Sequence, residues 1–463
     1  MSFISLEFVV FFCACFFTYY LVGKSYRKYV LLLSSCIFIG YHHLSFLLVA
    51  MGVALFSYIA GRSIEKARDE KYFTARYVAS VVAIVLFWIV DRYAGTVSGS
   101  KFFLFSLGIS FYSFQAISYL TEVYWGEEKA ERSLPDFMLY MLFFMKFLSG
   151  PIERPGSFLP QIKNLRPATY EMMTYGLKLV AVGLIKKIVL ADQIAPYISG
   201  VFDAPHTASG AQLIMACMLY PIEIYADFSG YTDMALGGAL MFGLRLSPNF
   251  NRPFVAQSTA DLWRRWHMSL SFWVRDYVYL PLASAMRRWE QKGIIFSLLL
   301  TFVALGIWHG SGWTFVIYGL IQGIVIVYEV KARNFRGWLK RVLGKNLFAT
   351  WSILRTYIIF ALSLIFFRCD TISDAFYFIR HMSFHTNTSW KEINLGMTDH
   401  ICIVSGVALF LVLVYEFFMS RGDLLKRLER QPVVVRWSVY YLIVFAIFVY
   451  GKFGANNFIY LQF

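Results

Sequence analysis

Charged residues are scarce in this chain. Asp, Glu, Lys and Arg make up 15% of it, whereas hydrophobic residues make up 58% and aromatic residues 19%. Soluble domains carry about 25% charged residues, so this composition excludes a soluble globular protein. Because the apolar residues form runs long enough for helices that cross a bilayer, the sequence predicts an all-α, polytopic membrane protein.

Acidic residues are fewer than basic residues, and the formal net charge is +15. A strongly basic chain can bind nucleic acid, but here the basic residues form short clusters between apolar runs. Examples are Lys24, Arg27 and Lys28, and Lys331, Arg333 and Arg336. This spacing is typical of the cytoplasmic loops of membrane proteins and of contact with anionic lipids. We therefore predict membrane lipids as partners, and no nucleic acid.

Cysteine is also scarce, and its spacing offers no metal site. The six cysteines are Cys13, Cys15, Cys36, Cys217, Cys369 and Cys402, and no CxxC pair occurs among them. Glu223 and Asp227 lie four residues apart on one helical face, but no His or Cys is near them in sequence. Pairing of these acids with Arg or Tyr is therefore favoured over a metal. No GxSxG motif is present either, which leaves an enzyme-bound acyl-serine without support.

The apolar segments predict roughly 11–12 spanning helices, together with re-entrant and interfacial helices. They run approximately over residues 5–22, 30–41, 45–60, 77–93, 102–124, 172–190, 211–227, 229–246, 293–309, 312–330, 349–367, 401–419 and 434–450. The region 249–292 is rich in Arg and Trp, which favours interfacial helices at the cytoplasmic face. That placement requires one of 211–227 and 229–246 to be re-entrant, with the break at Asp227–Gly230. Both chain ends are then outside.

We predict a single transmembrane domain over residues 1–463. It comprises N-terminal helices over 1–124, a catalytic core over 137–330, and C-terminal helices with a tail over 331–463.

His309 is the residue that first indicates a function. It lies in the sequence Gly306-Ile-Trp-His-Gly-Ser-Gly-Trp313, within an apolar stretch bracketed by Lys292 and Lys331. The length of this stretch suits two crossings of about 20 residues each, with the turn near His309. An ionisable side chain at that depth is costly and is by default a candidate functional residue. The alternative is a neutral histidine whose ring is bonded to a backbone carbonyl.

Three further stretches combine polar residues with apolar surroundings. They are Gly150-Pro-Ile-Glu-Arg-Pro155, Tyr225-Ala-Asp-Phe-Ser-Gly-Tyr-Thr-Asp-Met234, and Leu262-Trp-Arg-Arg-Trp-His-Met-Ser-Leu-Ser-Phe-Trp-Val-Arg-Asp-Tyr277. Each has a purely structural alternative: turn chemistry, a buried acid paired with a cation, and an interfacial helix. Four such stretches in one chain, each costly to bury, favour a functional site.

With these motifs the chain resembles the membrane-bound O-acyltransferase family, in the bacterial branch that contains the alginate O-acetyltransferase membrane subunit. The resemblance spans most of the chain and includes the terminal Phe458-Ile-Tyr-Leu-Gln-Phe463. It implies an acetyltransferase in the bacterial inner membrane that serves an extracytoplasmic polysaccharide, with His309 as the essential histidine and His267 as the second motif histidine. After Pro281-Leu282 the family usually has a Gly- and Asn-rich loop, which this chain lacks, so the identity of the polysaccharide stays open.

Acyl transfer from a thioester to a hydroxyl requires a base, and a neutral histidine suits that task near pH 7. We expect acetyl-CoA as the donor and a periplasmic O-acetyltransferase or acyl-carrier protein as the partner. The predicted substrate-binding residues are Arg264, Arg265, Trp266, Arg275, Asp276, Trp308, Asp227 and Tyr231. The arginines suit the phosphates of coenzyme A, and lipid headgroups are an equal alternative.

Tyr460 is the third candidate catalytic residue. The terminal Phe-x-Tyr-x-x-Phe is similar to one on a small partner of the D-alanyl transfer system in the same superfamily. Tyr460 would accept the acyl group at the His309 site and present it outward. The alternative is an aromatic anchor at the membrane interface.

Two other functions remain open. One is D-alanyl transfer, or acylation of a lipid or protein, within the same superfamily. The other is a transporter without covalent chemistry, which matching broken helices in two halves would indicate, and no internal repeat is visible.

Overall fold

The computed structural model describes residues 1–41, 43–98 and 108–454, and within these ranges the chain is helical, with no strand. The predicted all-α class is confirmed. The α-helices are α1 (Leu6–Leu21), α2 (Arg27–Gly40), α3 (Leu44–Lys66), α4 (Phe73–Ser98), α5 (Ile109–Trp125), α6 (Leu134–Leu142), α7 (Phe144–Phe147), α8 (Pro155–Lys163), α9 (Tyr170–Leu184), α10 (Asp192–Asp203), α11 (Gly210–Met241), α12 (Thr259–Trp263), α13 (Met268–Val274), α14 (Leu280–Ala285), α15 (Glu290–His309), α16 (Trp313–Lys331), α17 (Arg333–Arg368), α18 (Ile372–His381), α19 (Trp390–Ile393), α20 (Asp399–Met419), α21 (Leu424–Glu429) and α22 (Val433–Tyr450).

Among the described residues, seven helices are long and apolar enough to cross a membrane. They span Leu44–Lys66, Phe73–Asp91, Arg287–His309, Trp313–Lys331, Arg333–Arg368, Asp399–Met419 and Val433–Tyr450, and the 16-residue helix α1 is apolar but shorter. The protein is therefore a multi-pass membrane protein. The number is below the predicted 11–12 because several apolar segments form shorter or interrupted helices. One example is 172–190, where α9 gives way to a π-helical segment, Ile185–Ala191.

The predicted re-entrant break at Asp227–Gly230 is wrong. Helix α11 runs without interruption over 32 residues and includes Pro221. Gly230 alone does not end a helix whose neighbouring residues are buried on packed surfaces, since tertiary packing outweighs its weak helix propensity. Asp227 also needs no chain reversal to be accommodated, because it forms an ion pair with Lys187.

Two compact units make up the chain, one containing residues 1–183 and 231–248 and the other residues 184–230 and 249–463. The predicted single domain and its subdivision at 124, 137 and 330 stay a prediction. In the first unit, the apolar residues Phe137–Leu142 of α6 and Phe144–Phe147 of α7 are buried. There the Glu153 carboxylate of the Gly-Pro-Ile-Glu-Arg-Pro stretch accepts hydrogen bonds from the backbone N–H and the hydroxyl of Ser247, at 2.5 and 3.1 Å.

In the second unit, α15 and α16 form the helical hairpin that the sequence predicted around His309. Their glycines permit close packing: a Cβ atom at Gly306 would lie 2.2 Å from the carbonyl oxygen of Phe315, and one at Gly319 would lie 2.1 Å from that of Phe302. Small residues at such crossings let two membrane helices approach closely. The turn at Gly310–Gly312 then fixes His309 as the last residue of α15.

The region 249–289 forms short helices instead of a span. Helix α12 is tied to the membrane helices through Glu329 of α16, whose carboxylate oxygens accept the backbone N–H of Thr259 at 2.9 and 3.1 Å. Arg355 of α17 forms an ion pair with the same carboxylate at 2.6 Å. A buried acid that is fully bonded in this way holds the start of α12 firmly in place.

Candidate functional site

His309 lies at the end of α15 and is 4% exposed. Aromatic rings surround it: the ring centroids of Trp308, Phe367 and Tyr318 lie 4.7, 5.1 and 6.3 Å from that of His309, all edge-on. The ring of His309 is thus enclosed by aromatic side chains, Trp308 among them.

His267 lies between α12 and α13 in the left-handed region, with φ 43° and ψ 55°. This conformation costs a residue other than glycine about 1–3 kcal/mol and persists only where the surroundings enforce it. Here Asn249 enforces it, because its carbonyl oxygen accepts the N–H of Met268 at 2.8 Å and its side-chain oxygen accepts the N–H of Ser269 at 3.2 Å. Burial lowers the pKa of His267 well below its usual value, and the neighbouring His309 lowers it further.

The two histidines share one enclosed cavity. It is lined by Ile224, Trp263, Trp266, His267, Leu270, His309, Tyr318, Phe360, Leu364 and Phe367. Residues from four parts of the sequence thus converge on the two imidazoles. No Asp or Glu is among these lining residues, so the cavity holds two proton acceptors within otherwise aromatic and aliphatic walls.

Hydrogen bonds behind the cavity wall hold its shape. The indole N–H of Trp263 donates to the Gln322 side-chain oxygen at 3.0 Å, and the Gln322 amide donates to the Ser363 hydroxyl at 2.7 Å. This chain of bonds connects α12, α16 and α17. Trp266 is packed edge-on against Phe250 and Phe360, at centroid distances of 5.2 and 5.1 Å.

The sequence profile of the membrane-bound O-acyltransferase family matches residues 31–367, a range that contains both histidines and all the residues lining the cavity. The chain belongs to the membrane-bound O-acyltransferase family. The resemblance seen in the four motifs is confirmed, and the protein is an O-acyltransferase.

Three bacterial relatives show how far the likeness extends. A protein named probable alginate O-acetylase AlgI, from Pseudomonas aeruginosa, is 31% identical over 87% of this chain and 78% of its own length. A peptidoglycan O-acetyltransferase of Helicobacter pylori is 29% identical over 78% of this chain and 75% of its own length. A teichoic acid D-alanyltransferase of Streptococcus thermophilus is 30% identical over 61% and 69%, respectively.

The predicted phosphate-binding arginines of this O-acyltransferase lie away from the lining of the cavity. Arg264 and Arg275 are exposed. Arg265 is paired with Asp261 at 3.1 Å, and Arg275 with Asp276 at 2.7 Å. Of the eight predicted substrate-binding residues, only Trp266 is among the residues that line the cavity. Substrate binding by all eight stays a prediction.

Asp227 and Tyr231, predicted from the same motif, have different surroundings. Asp227 is buried and pairs with Lys187 at 2.6 Å, and Lys187 also donates to Asp192 at 2.8 Å. Tyr231 belongs to the first unit, where its ring stacks on Phe3 with centroids 4.5 Å apart. Both arrangements are structural contacts, and the expected Arg or Tyr partner of Asp227 is in fact a lysine.

Sequence reasoning missed Tyr318 and Gln322, which line or support the cavity, and Lys187, the partner of Asp227. Tyr318 and Gln322 lie in an apolar span, and the only signal they gave was a polar atom in an otherwise apolar helix. Lys187 and the adjacent Lys186 lie in the apolar segment 172–190. Charged residues within a membrane segment are rare and indicate a buried partner or a functional role. The backbone of Lys187 is π-helical, a form that frequently occurs at functional sites.

The described residues contain no group of three or more His, Cys, Asp or Glu side chains that could hold a metal ion. Tyr460 lies outside the described residues, which end at 454.

Proposed function

We propose that the protein transfers an acetyl group from acetyl-CoA on the cytoplasmic side to the hydroxyl of an acceptor that serves an extracytoplasmic polysaccharide. The observation that carries this proposal is the convergence of His309 and His267 on one small, aromatic cavity. Within a family of O-acyltransferases, such a cavity supplies a base, a dry environment and two side chains able to hold hydrogen-bonded groups.

In the proposed reaction, His309 takes the proton of the acceptor hydroxyl while the oxygen attacks the thioester carbonyl. The new bond joins the acceptor oxygen to the acyl carbon, and the bond between that carbon and sulfur breaks. The proton on His309 then passes to the departing thiolate of coenzyme A, so the histidine is returned to its neutral form. His267 holds the donor or the acceptor by hydrogen bonding, which suits its rigid, strained position.

The cavity favours an acetyl group over the alternatives. Its bulky lining residues leave little free space, so a long acyl chain is a poor fit. A D-alanyl group carries an ammonium, and the lining residues include no carboxylate to pair with it. The relatives from Pseudomonas aeruginosa and Helicobacter pylori, both named for acetyl transfer, support the same choice.

We further propose that the protein lies in a bacterial inner membrane with both ends outside. A periplasmic O-acetyltransferase or an acyl-carrier protein would complete transfer to the sugar. Arg264, Arg265 and Arg275 would meet the coenzyme A phosphates, since a guanidinium suits phosphate recognition. Tyr460 would carry the acyl group outward.

A strain that lacks the gene tests the substrate class. Mild alkali releases ester-linked groups from the extracytoplasmic glycans, and acetate and D-alanine are then measured separately. We expect acetate to fall in the deletion strain and to return with the wild-type gene, but not with the His309→Ala gene. A matched control, Trp313→Phe, alters an exposed aromatic residue beside the same turn and should restore acetate. Loss of D-alanine with unchanged acetate would establish the D-alanyl alternative instead.

A further inference from the structure

A second pocket, in the first unit, is lined by four cationic side chains. It has a volume of about 630 Å³, and its lining comprises Lys24, Ser25, Lys28, Tyr29, Ile162, Lys163, Asn164, Leu165 and Arg166. The cations come from two regions that are far apart in sequence: Lys24 and Lys28 lie in the α1–α2 connection and the first turn of α2, and Lys163 and Arg166 lie at the end of α8 and in the α8–α9 connection. A solvated basic loop would spread its charges, whereas these converge on one concave surface. We call it the basic pocket.

Two of the four cations are held in place by acids behind the pocket wall. Lys28 pairs with Asp136 at 2.8 Å and Lys163 pairs with Glu131 at 2.7 Å, and the two carboxylates are 8% and 4% exposed. Glu131 also accepts the backbone N–H groups of Arg132 and Ser133 at 2.8 and 2.9 Å. These pairs fix the direction of the lysine side chains, so a ligand would not have to restrict their motion on binding.

Among the described residues, the other two cations of the basic pocket are not paired with an acid. Neither Lys24 nor Arg166 forms an ion pair within the part of the chain that the structure describes, and both residues are exposed. Four cations and two acids leave the basic pocket with a surplus of two positive charges. An arginine beside lysines suits phosphate, because the planar guanidinium can donate two parallel hydrogen bonds while the ammonium groups act as point charges.

The position of the basic pocket indicates where its ligand lies. Lys24 follows directly after the apolar helix α1, in the short connection that precedes α2. Exposed tyrosines flank the two connections: Tyr26, Tyr29 and Tyr170 are 66%, 47% and 81% exposed. Tyrosine is enriched at the level of the lipid headgroups, and basic pockets at that level bind anionic headgroups.

We propose that the basic pocket binds a phosphate group of an anionic ligand at the membrane surface. An anionic phospholipid and a soluble phosphorylated molecule such as coenzyme A share this chemistry. The inference does not depend on the proposed function of the His309 cavity.

The test compares two double variants of the full-length protein with the wild type. Lys24→Gln/Arg166→Gln removes the surplus charge without leaving a buried acid unpaired. Lys71→Gln/Arg341→Gln is the control, since it makes the same charge change at exposed residues outside the basic pocket. Proteins are released from phosphatidylcholine nanodiscs that contain some phosphatidylglycerol, and retained lipid is identified by native mass spectrometry. Equilibrium dialysis against coenzyme A forms the second arm.

Loss of two surface cations should weaken binding about thirtyfold, at about 1 kcal/mol for each cation near an anionic surface. We expect the pocket variant to lose retained phosphatidylglycerol and the control to keep it. A selective loss of coenzyme A binding instead would identify a soluble ligand and would also support a phosphate site. Equal behaviour of the two double variants in both arms, or no phosphate ligand on the wild type, would overturn the proposal.

Discussion

Lys187 bridges two buried carboxylates, and its replacement should be among the most damaging single changes in the second unit. Its ammonium lies 2.8 Å from Asp192 and 2.6 Å from Asp227, and all three side chains are nearly inaccessible to solvent. Lys187→Met keeps the apolar stem but leaves two acids without this cation. Removing one partner of a buried ion pair costs about 3–5 kcal/mol. Asp227→Asn is milder, since Lys187 keeps Asp192, and the loss of one charge-assisted hydrogen bond costs about 1.5–3 kcal/mol.

The free energy of unfolding would be measured in mixed micelles by circular dichroism, with Lys391→Met as a control at an exposed lysine. The expected order of stability is wild type and control first, then Asp227→Asn, then Lys187→Met. The triple variant Lys187→Met/Asp192→Asn/Asp227→Asn should regain much of the loss, because no buried charge then lacks a partner. If Lys187→Met were as stable as the control, the ion-pair reasoning would be refuted.

Three further predictions concern the site and the topology. His267→Ala should lower acetyl transfer by about 10²–10⁴-fold. His267→Gln should retain more activity, because glutamine still donates and accepts hydrogen bonds. Equal activity of the two variants would contradict a positioning role. A cysteine at the exposed Gln291, in a background without the native cysteines, should react with an impermeant thiol reagent only after lysis. The reason is that region 249–292 is expected in the cytoplasm. Labelling of intact cells would place this region outside. Tyr460→Phe should preserve expression yet abolish glycan acetylation, because the hydroxyl is the proposed acyl acceptor; full acetylation would leave the tail as an aromatic anchor.

The sequence was most informative where the residues of a helix themselves indicate where it begins and ends. The hairpin of α15 and α16 followed from two apolar runs between lysines, and its turn lies where the glycines predicted it. His309 and His267 could each be selected as costly residues in apolar surroundings. That they share a cavity did not follow from their spacing, since they lie in separate parts of the chain.

The errors arose where tertiary contacts decide the outcome. The break expected at Asp227–Gly230 ignored the buried Lys187, whose ion pair lets the acid remain inside a continuous α11. The arginines near His267 were grouped with the site because they are adjacent to it in sequence. Trp266 and His267 line the cavity, whereas Arg264 is exposed, so binding by these arginines stays a prediction. Likewise, the packing of α16 against its neighbours brings Tyr318 to the cavity and Gln322 to the hydrogen bonds behind its wall.

The most direct test of the central claim, that acyl transfer takes place at His309, is turnover of labelled acetyl-CoA by the purified full-length protein in nanodiscs. His309→Ala is compared with His206→Ala, the same change at an exposed histidine that pairs with Asp374. Thermal unfolding of both variants confirms that they are folded. Loss of a general base should reduce turnover by about 10²–10⁴-fold in His309→Ala, whereas His206→Ala should match the wild type. A folded His309→Ala protein that retained most of its turnover would contradict the assignment.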